Sequence, residues 1–572
     1  MTHIEPISAS PDESVSELMP ELAPEPVLER LELQTDPQVH AIPLRRNVLT
    51  TILARGLYMV TRVGIPPFVL ARIGLEAYGI WTTVFILVTY LGLTTMGISN
   101  VYIKYVAEFH ARREYDKANS LLSTGLAVTV PACTALFFTI WLGWNWFSPI
   151  LHLPANHAGD GKEAVLIVVG VFLSSIAFNV FGDVLTGMQQ IAATQYFWTL
   201  SFIVEFVLIF VLVGMGRGIR GLAEAYLIRT VINDGLTLWW AYRKLPWLRL
   251  SWRLARRESV RYVVHFGGLV QFQSLLSTFL NSIERVAALM LVNVSAAGLL
   301  DLAKKWPLSL SSVPTAFFAA FLPAASHLDA SSDEESRLRN LGGFYLRGAR
   351  YSNLSTAFFC GVMVFWSSPI LHIWLGSQLP ASGGILTLFV VFSISMQFHM
   401  LTGPGTSIMR GMGRVWEEFA YSVPNLILLA VTLPLSRWFV HAWTPLGIGI
   451  AVAAATVGSA CVLMGRVIIV LRVSFTAFLR QVILPGLIPY LAAFLMSWPV
   501  LRLALILGRW PGAGMLMVVG LLYTALTLLL LDRITLEPEE QHQLRLLGRR
   551  IFMTVFSGAR RTPGEAAGRR NG

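Results

Sequence analysis

Long apolar stretches separated by short polar segments recur along the chain from residue 48 to residue 531. A helix rises 1.5 Å per residue, so about 20 apolar residues cross the roughly 30 Å hydrocarbon core of a bilayer. The pattern therefore predicts an all-α polytopic membrane protein with about fourteen transmembrane helices. The predicted spans are 48–71, 79–100, 121–147, 164–186, 195–213, 223–242, 262–292, 299–322, 352–372, 383–402, 419–436, 446–470, 481–498 and 513–531.

The composition and short motifs narrow the class of protein further. Hydrophobic residues make up 55% of the chain and charged residues 13%, with a mean hydropathy of +0.61, far from soluble averages. Cys133, Cys360 and Cys461 all fall inside predicted spans, which argues against a disulfide framework and against a clustered metal site. The sequence contains no GxxxxGK[ST], HExxH or CxxC pattern. We therefore expect no cofactor, no bound metal and no enzymatic activity.

The charged residues are distributed unevenly between alternate loops. The first 43 residues hold nine acidic residues and one basic residue, which predicts a disordered acidic tail and no signal peptide. Arginine and lysine collect in one set of alternate loops, which places both termini in the cytoplasm. The net charge of +11 then requires no nucleic acid, and anionic membrane lipids are the expected partners. Trp247–Arg261 and Gln541–Phe556 are predicted to be amphipathic helices on the inner membrane surface.

Short sequence matches recur about 220 residues apart. Ser148-Pro-Ile-Leu-His152 is repeated as Ser368-Pro-Ile-Leu-His372 at an offset of 220. An offset of 224 relates Gly74-Leu75 to Gly298-Leu299, and Gly187-Met188 to Gly411-Met412. Six helices separate the copies, so both halves cross the membrane with the same polarity. We therefore expect a V-shaped alternating-access transporter built from two pseudo-symmetric six-helix lobes with two further helices.

These patterns together divide the chain into six predicted segments. They are a disordered acidic cytoplasmic tail at 1–43, an N-lobe of helices 1–6 at 44–245, a basic amphipathic cytoplasmic linker at 246–261, a C-lobe of helices 7–12 at 262–473, helices 13 and 14 at 474–532, and a basic cytoplasmic tail at 533–572.

Polar stripes on the first and seventh helices predict a binding site between the lobes. Charged residues inside spans are costly and often mark functional sites. The two stripes have the same helical spacing and an offset of 223, which aligns Arg62 with Arg285 as pseudo-symmetric partners. Their members are Thr51, Arg55, Tyr58 and Arg62 on the first helix, and Ser274, Thr278, Asn281 and Arg285 on the seventh.

The cations of these helices have two alternative roles. Lys304 and Lys305 follow in the eighth helix, and Asp301 is spaced to pair with Lys305 at i, i+4. Such residues form either an anion site or internal ion pairs that hold the lobes together. Arg55 and Arg62 have no carboxylate on their own helix. Their expected partner is an anionic ligand or a carboxylate from another span, with the candidates Asp183, Glu205 and Asp234.

Pro66 and Pro67 are adjacent in the first predicted helix. Each removes a backbone donor and clashes with the preceding turn, so we expect the helix to break there. The break would be either a hinge or the fixed end of the helix.

Several segments, in this order and topological placement, resemble the polysaccharide-transporter and Wzx-type flippases of the multidrug/oligosaccharidyl-lipid/polysaccharide exporter superfamily. The resemblance covers roughly residues 45–531. It rests on Gly74-Leu-Glu-Ala-Tyr-Gly-Ile-Trp81, Leu91-Gly-Leu93 with Gly97, the stretch from Lys104 to Ala118, Glu284-Arg285, the run from Ala296 to Lys304, and Leu322-Pro323. The chain departs from the family where Leu300 or Asp301 replaces a tyrosine of the eighth-helix motif, and in its acidic N-terminal extension.

The resemblance implies a function. Such proteins move a polyprenyl-pyrophosphate-linked oligosaccharide, a repeat unit of exopolysaccharide, capsule or O-antigen, to the periplasmic leaflet of the bacterial inner membrane. A polysaccharide polymerase and export machinery are further expected partners. Arginine matches phosphate oxygens bidentately. The implied substrate-binding residues are Arg55, Arg62, Arg285, Lys304, Lys305, Gln271, Ser274, Thr278 and Asn281, and the candidates for ion coupling are Glu205, Glu284 and Asp301. The uncharged residues of this set either supply amide and hydroxyl groups to the sugars or hold neighbouring helices together, and the alternative role of each carboxylate is a structural salt bridge.

Two alternative functions compete with this interpretation. A cation-coupled multidrug exporter of the same superfamily should have a cavity dominated by carboxylates, and the first-helix arginines argue against it. A membrane glycosyltransferase or polymerase acting on the same lipid carrier usually presents its catalytic residues on a large extracytoplasmic loop. The longest such loop, about 148–163, contains His152, which the repeat matches to His372 and which therefore favours a structural role.

Overall fold

The structure is a computed structural model that describes residues 44–92, 98–149, 151, 153–256, 268–311, 321, 325, 328–329, 334–378 and 384–534. Of these, 44–55, 98, 100, 147, 268–274, 415, 440, 503–505 and 534 are described by their backbone alone. The chain divides into two units, 1–49 and 50–572, and the contacts discussed below lie in the second. The predicted acidic tail at 1–43, the helix at 541–556 and most of the basic tail lie outside the described residues.

The first half of the described chain forms seven helices. They are α1 (Leu44–Leu91), α2 (Ile98–Ala111), α3 (Tyr115–Leu142), α4 (Trp144–Phe147), α5 (Ala158–Gly187), α6 (Ile191–Gly214) and α7 (Gly218–Lys244), with 3-10 turns at Ala155–His157 and Trp252–Leu254.

The second half continues with twelve helices among the described residues. They are α8 (Gly268–Leu291), α9 (Val294–Leu310), α10 (Glu334–Phe365), α11 (Ser367–Leu375), α12 (Ile385–Leu401), α13 (Gly403–Gly411), α14 (Phe419–Val440), α15 (Pro445–Val470), α16 (Phe475–Phe478), α17 (Leu484–Leu495), α18 (Ser497–Leu507) and α19 (Arg509–Ile534). Short 3-10 turns lie at Gly376–Gln378 and Val415–Glu418, and a π-turn lies at Leu479–Ile483.

The described chain is all-α, as the apolar pattern predicts. Nine helical stretches of the described residues are long and apolar enough to cross a bilayer, or ten if the bent pair of α10 and α11, which turns through 77°, is one span. Two of the nine join consecutive helices, α12 with α13 and α16 with α17. The helix α7 is not among the nine and contains several charged residues, whereas α9 is only 17 residues long. The number of fourteen crossings and the boundaries of the six predicted segments stay predictions.

The first helix does not break at its two prolines, which corrects the expectation from the sequence. Pro66 and Pro67 lie inside α1, and the non-helical residue is Gly74, with φ 78° and ψ 173°. Glycine tolerates this positive φ because it has no Cβ. A proline at 67 leaves the carbonyl of Val63 without its i+4 donor. The indole Nε1 of Trp374 donates to that carbonyl at 2.7 Å, so a side chain from α11 replaces the missing bond.

The basic linker also differs from its prediction over the part that is described. Residues 246–256 contain a single 3-10 turn, and no α-helix. The segment instead bonds to polar side chains of α3. The Asn119 amide donates to the Trp247 carbonyl at 2.9 Å and accepts from the Arg249 amide at 2.9 Å, and the Arg256 amide donates to Thr124 Oγ1 at 2.9 Å. These bonds satisfy backbone groups that a helix would satisfy internally.

The largest core joins the two halves of the chain. One continuous cluster of buried apolar side chains contains Ile80 and Leu222 from the first half, and Leu300, Leu371 and Ile448 from the second. The second copy of the Ser-Pro-Ile-Leu-His repeat lies in α11 and contributes Leu371 to this core. Of the first copy, positions 150 and 152 lie outside the described residues.

Candidate functional site

Five ionisable side chains of α8 and α9 form a network that we call the interface cluster. Lys304 Nζ lies 2.8 Å from Glu284 Oε1, and Lys305 Nζ lies 2.6 Å from Asp301 Oδ2. Arg285 bridges the two carboxylates, with Nη1 at 3.3 Å from Asp301 Oδ1 and Nε at 3.8 Å from Glu284 Oε1. The predicted i, i+4 pair between Asp301 and Lys305 is confirmed.

A tight connection between two helices assembles this cluster. The Asn293 side chain accepts a hydrogen bond from the Ala296 amide at 2.8 Å and caps the N-terminus of α9. The two helices therefore run back along each other, and Lys304 also donates to the carbonyl of Asn281 at 2.9 Å. Glu284 is fully buried, so its charge requires the cations that surround it.

The cluster is connected to α1 by one hydrogen bond and one close backbone approach. The hydroxyl of Tyr78 donates to Asp301 Oδ2 at 2.7 Å, and Tyr78 is buried. A Cβ placed on Gly79 would lie 2.8 Å from the carbonyl carbon of Val294, and one on Gly298 would lie 3.0 Å from the Cα of Gly79. The backbones of α1 and α9 can approach this closely because both positions are glycine.

Arg62 lies in α1 among aromatic rings. Its guanidinium carbon is 5.0 Å from the ring centre of Tyr58, 5.8 Å from that of Phe85 and 5.7 Å from that of Phe202. Its Nε is buried and has no hydrogen-bond partner among the described residues. No described carboxylate lies within 4.0 Å of its guanidinium. The nearby carboxylate, Glu205, pairs with a different cation.

That cation is Arg229 of α7, which the sequence interpretation did not single out. Arg229 Nε lies 3.6 Å from Glu205 Oε2, and its guanidinium stacks on Phe202 at 4.6 Å and on Tyr226 at 4.7 Å. Its position inside the predicted span 223–242 was the available signal, because a charge within a span is costly. Among the described side chains, Arg62 therefore has no carboxylate within ion-pair distance, although Glu205 also attracts it.

The remaining predicted residues fall into different surroundings. Thr278 lines a separate cavity, and the Asn281 side chain is exposed. Asp183 lines a small cavity with Tyr102, and Asp234 accepts from the amide of Asn233 at 3.0 Å. Neither carboxylate is a described ion-pair partner of Arg62. The side chains of Thr51, Arg55, Gln271 and Ser274 lie outside the described residues.

The charges near Tyr78 do not balance. The interface cluster combines three cations, Arg285, Lys304 and Lys305, with two carboxylates. Arg62 and Arg285 are both close enough to Tyr78 to act on it electrostatically, and Glu205, which pairs with Arg229, also attracts Arg62. Counted together, Arg62, the Arg229–Glu205 pair and the interface cluster contain five cations and three carboxylates, a surplus of two positive charges among these side chains. No group of His, Cys, Asp and Glu within the described residues has the geometry to hold a metal ion.

Two solved structures have a similar fold. An inward-facing multidrug resistance MATE family transporter of the MOP superfamily aligns with a TM-score of 0.58 at 14% identity, over 76% of this chain and 96% of that one. The lipid II flippase MurJ, in an inward closed conformation, aligns with a TM-score of 0.60 at 12% identity, over 85% of this chain and 98% of that one. The chain therefore has the fold of membrane transporters and flippases.

Sequence comparison places the chain in a family. The uncharacterized membrane protein EpsK of Bacillus subtilis (strain 168) is 21% identical over 444 residues, which cover 77% of this chain and 85% of EpsK. A family model described as "Polysaccharide biosynthesis protein" matches residues 44–329, half of the chain. With its many apolar helices and its transporter fold, the chain belongs to this family of polysaccharide biosynthesis membrane proteins.

Proposed function

We propose that the protein is a flippase that moves a polyprenyl-pyrophosphate-linked oligosaccharide from the cytoplasmic to the periplasmic leaflet by alternating access. The observation that carries this proposal is the surplus of two positive charges among Arg62, the Arg229–Glu205 pair and the interface cluster. A pyrophosphate diester bears about two negative charges and would balance it. An organic cation, the cargo of a multidrug exporter, would increase the imbalance.

Arg62 is the residue that we assign to hold the pyrophosphate. Its planar fork of donors fits phosphate oxygens bidentately, and it needs no rearrangement of an ion pair to do so. The rings of Tyr58, Phe85 and Phe202 fix the guanidinium in place and restrict water around it. Arg285 and Lys305 share Asp301 and provide secondary attraction from the C-terminal half of the chain.

The transport step follows from the positions of these cations on both halves of the chain. The headgroup binds between Arg62 and Arg285 from the cytoplasmic side while the polyprenyl tail stays in lipid, and the two halves then rock to face outward. Moving two negative charges out of a cell at 100 mV, negative inside, would release about 4–5 kcal/mol if they crossed the whole field. Glu284, Asp301 and Glu205 are the candidates for coupling this cycle to an ion.

The relatives support a role in moving a lipid. MurJ is a lipid II flippase, and the family is one of polysaccharide biosynthesis. A substrate that is a saccharide attached to a lipid agrees with both the lipid flippase fold and the polysaccharide biosynthesis family. The product would be a repeat unit of exopolysaccharide, capsule or O-antigen, delivered to a polymerase and export machinery at the periplasmic face of the inner membrane.

Reconstitution into liposomes tests the proposal directly. The probe is undecaprenyl pyrophosphate carrying an oligosaccharide, and an impermeant lectin reports the fraction in the outer leaflet. Wild-type protein should raise the rate of lectin accessibility. Arg62→Ala should lower this rate by about 10- to 100-fold, the loss expected for a charge-assisted bidentate contact, whereas Arg62→Lys should retain part of it.

The control removes a stacked arginine elsewhere. Arg437 lies over the ring of Trp443 at 5.5 Å, outside the interface cluster, so Arg437→Ala should leave the rate unchanged. Equal rates with empty liposomes and with wild-type protein would contradict the flippase proposal. Normal rates in Arg62→Ala and Arg285→Ala would remove these residues from the binding site.

A further inference from the structure

A polar cavity of about 340 Å³ lies within the C-terminal half of the chain, apart from the interface cluster. Its size is at the lower end of the roughly 300–1,000 Å³ of small-molecule sites. Helices α8, α12, α13, α14 and α15 surround it, and all but one of its lining residues are polar. The lining consists of Ser277, Thr278, His399, Thr402, Thr406, Arg410, Glu418, Tyr421 and Leu463.

The cavity presents hydrogen-bond donors and acceptors that no described residue uses. Ser277 and Thr278 have no hydrogen bond to any described residue, so their hydroxyls are available to a ligand. Thr402 and Thr406 donate to the carbonyls of His399 and Thr402, at 2.6 and 2.9 Å, and keep their oxygen lone pairs. A ligand for this lining must therefore both donate and accept.

The charged residues of the lining neutralise each other. Arg410 donates two parallel hydrogen bonds to Glu418 from one edge of its guanidinium, with Nη2 at 2.8 Å from Oε2 and a second bond from Nε to Oε1. Glu418 is buried and so is tied to this pair. The His399 ring is held by Tyr421, whose hydroxyl lies 2.7 Å from Nδ1. A neutral polyhydroxylated ligand suits this lining better than an ion, because no charge is left unpaired.

The cavity lies at a suitable distance from the proposed pyrophosphate site. Thr278 and Arg285 are seven residues apart in α8, which places them on the same face, about 10 Å apart along the helix axis. A sugar joined directly to a pyrophosphate lies within such a distance. The anion-binding and hydroxyl-rich surfaces are therefore arranged along one helix face in the order in which a lipid-linked saccharide presents its groups.

We propose that this cavity binds a sugar ring of the lipid-linked oligosaccharide and selects the saccharide that is transported. The proposal rests on the proposed flippase function and adds a specificity site to it. Thr278 and Ser277 act as donors to sugar hydroxyls, and Thr402 and Thr406 act as acceptors from them.

Equilibrium binding to the protein in nanodiscs tests the site. The probes are undecaprenyl pyrophosphate without sugar and the same lipid carrying one glucose, galactose or N-acetylglucosamine. At least one glycosylated lipid should bind wild-type protein more tightly than the sugar-free lipid. Thr278→Val and Ser277→Ala should each weaken that binding about three- to tenfold, the value of one hydrogen bond, and leave the sugar-free lipid unaffected.

The matched control is Thr456→Val in α15. Thr456 donates to the carbonyl of Val452 at 2.9 Å and does not line the cavity, so this variant should bind all probes as wild type does. Thermal unfolding shows whether each variant is folded. If Thr278→Val does not fold, the binding measured for the smaller change Ser277→Ala tests the site.

Three outcomes separate this inference from the proposed function. Binding of neither lipid to wild-type protein would overturn the flippase proposal and the sugar site with it. Equal binding of sugar-free and glycosylated lipids would overturn the sugar site alone. A sugar-specific role for the cavity would also be excluded if Thr278→Val weakened the binding of both lipids, or if it weakened the binding of neither.

Discussion

The indole nitrogen of Trp374 donates to the backbone carbonyl of Val63 at 2.7 Å, across 311 residues of sequence. Proline at position 67 cannot supply the N–H that this carbonyl would accept within the helix. A side chain from the second half of the chain thereby completes a helix of the first half, one residue from Arg62. The bond favours the arrangement of the two halves seen in this structure.

A double-mutant cycle measures that coupling. Trp374→Phe leaves the Val63 carbonyl without a donor and should lower the free energy of unfolding by about 1–3 kcal/mol. Pro67→Ala restores an N–H at the i+4 position. In the Pro67→Ala background Trp374→Phe should therefore cost about 1 kcal/mol less. Denaturation in mixed micelles measures each variant.

Trp366 provides the matched control for this cycle. Its Nε1 donates to the carbonyl of Ala493 at 3.0 Å, a bond within the C-terminal half. Trp366→Phe should cost the same with and without Pro67→Ala. Equal costs of Trp374→Phe in the two backgrounds would mean that proline does not create the need for the indole donor.

Two glycine-to-alanine substitutions should change the free energy of unfolding in opposite directions, because only one of the glycines lies in the contact between α1 and α9. Gly79→Ala places a methyl group against the Val294 carbonyl, which is backbone and cannot rotate away, so the helices must separate. We expect a loss of about 1–3 kcal/mol in unfolding free energy. Gly235→Ala, in α7 with nothing within 4 Å of the new Cβ, should instead gain about 0.5–1 kcal/mol. A gain in both variants would show that the contact tolerates a methyl group.

In the interface cluster, removing a charge should lower the free energy of unfolding more than removing a hydrogen bond. Asp301→Asn leaves Arg285 and Lys305 without their shared carboxylate and should cost about 2–5 kcal/mol, while Tyr78→Phe should cost about 1.5–3 kcal/mol. Unfolding of both variants is measured at low and at high salt. The exposed pair of Glu335 and Arg339 is the control, and Glu335→Gln should change stability by no more than about 1 kcal/mol. Similar costs for Asp301→Asn and Glu335→Gln would contradict the role of burial.

The all-α membrane class was predictable because the period and length of apolar stretches depend on local chemistry alone. The pairing of Asp301 with Lys305 was predictable for the same reason, since four residues separate them on one helix. The unbroken passage of α1 through Pro66 and Pro67 was not, because the compensating donor lies 311 residues away. The alignment of Arg62 with Arg285 likewise could not indicate that Arg285 has carboxylate partners and Arg62 has aromatic ones.

The linker contains a contact of the same long-range kind. Asn119 is buried, and its side-chain amide both donates to the Trp247 carbonyl and accepts from the Arg249 amide, each at 2.9 Å. This arrangement reproduces the pairing of one backbone unit with another. An amphipathic helix over 247–261 would require these backbone groups to bond to one another instead.

Asn119 therefore should be critical for holding the linker in place. Asn119→Leu keeps the side-chain volume but leaves one backbone donor and one acceptor unpaired, and should cost about 2–6 kcal/mol, twice the penalty of about 1–3 kcal/mol for one such group. Amide hydrogen exchange at residues 247–249 should accelerate, and limited proteolysis after Arg249 should increase. Asn233→Leu is the control, because the amide of Asn233 donates to the side chain of Asp234 and does not contact the linker. Unchanged exchange at 247–249 in Asn119→Leu would show that the linker is held by its other contacts with α3, those of Ser123 and Thr124.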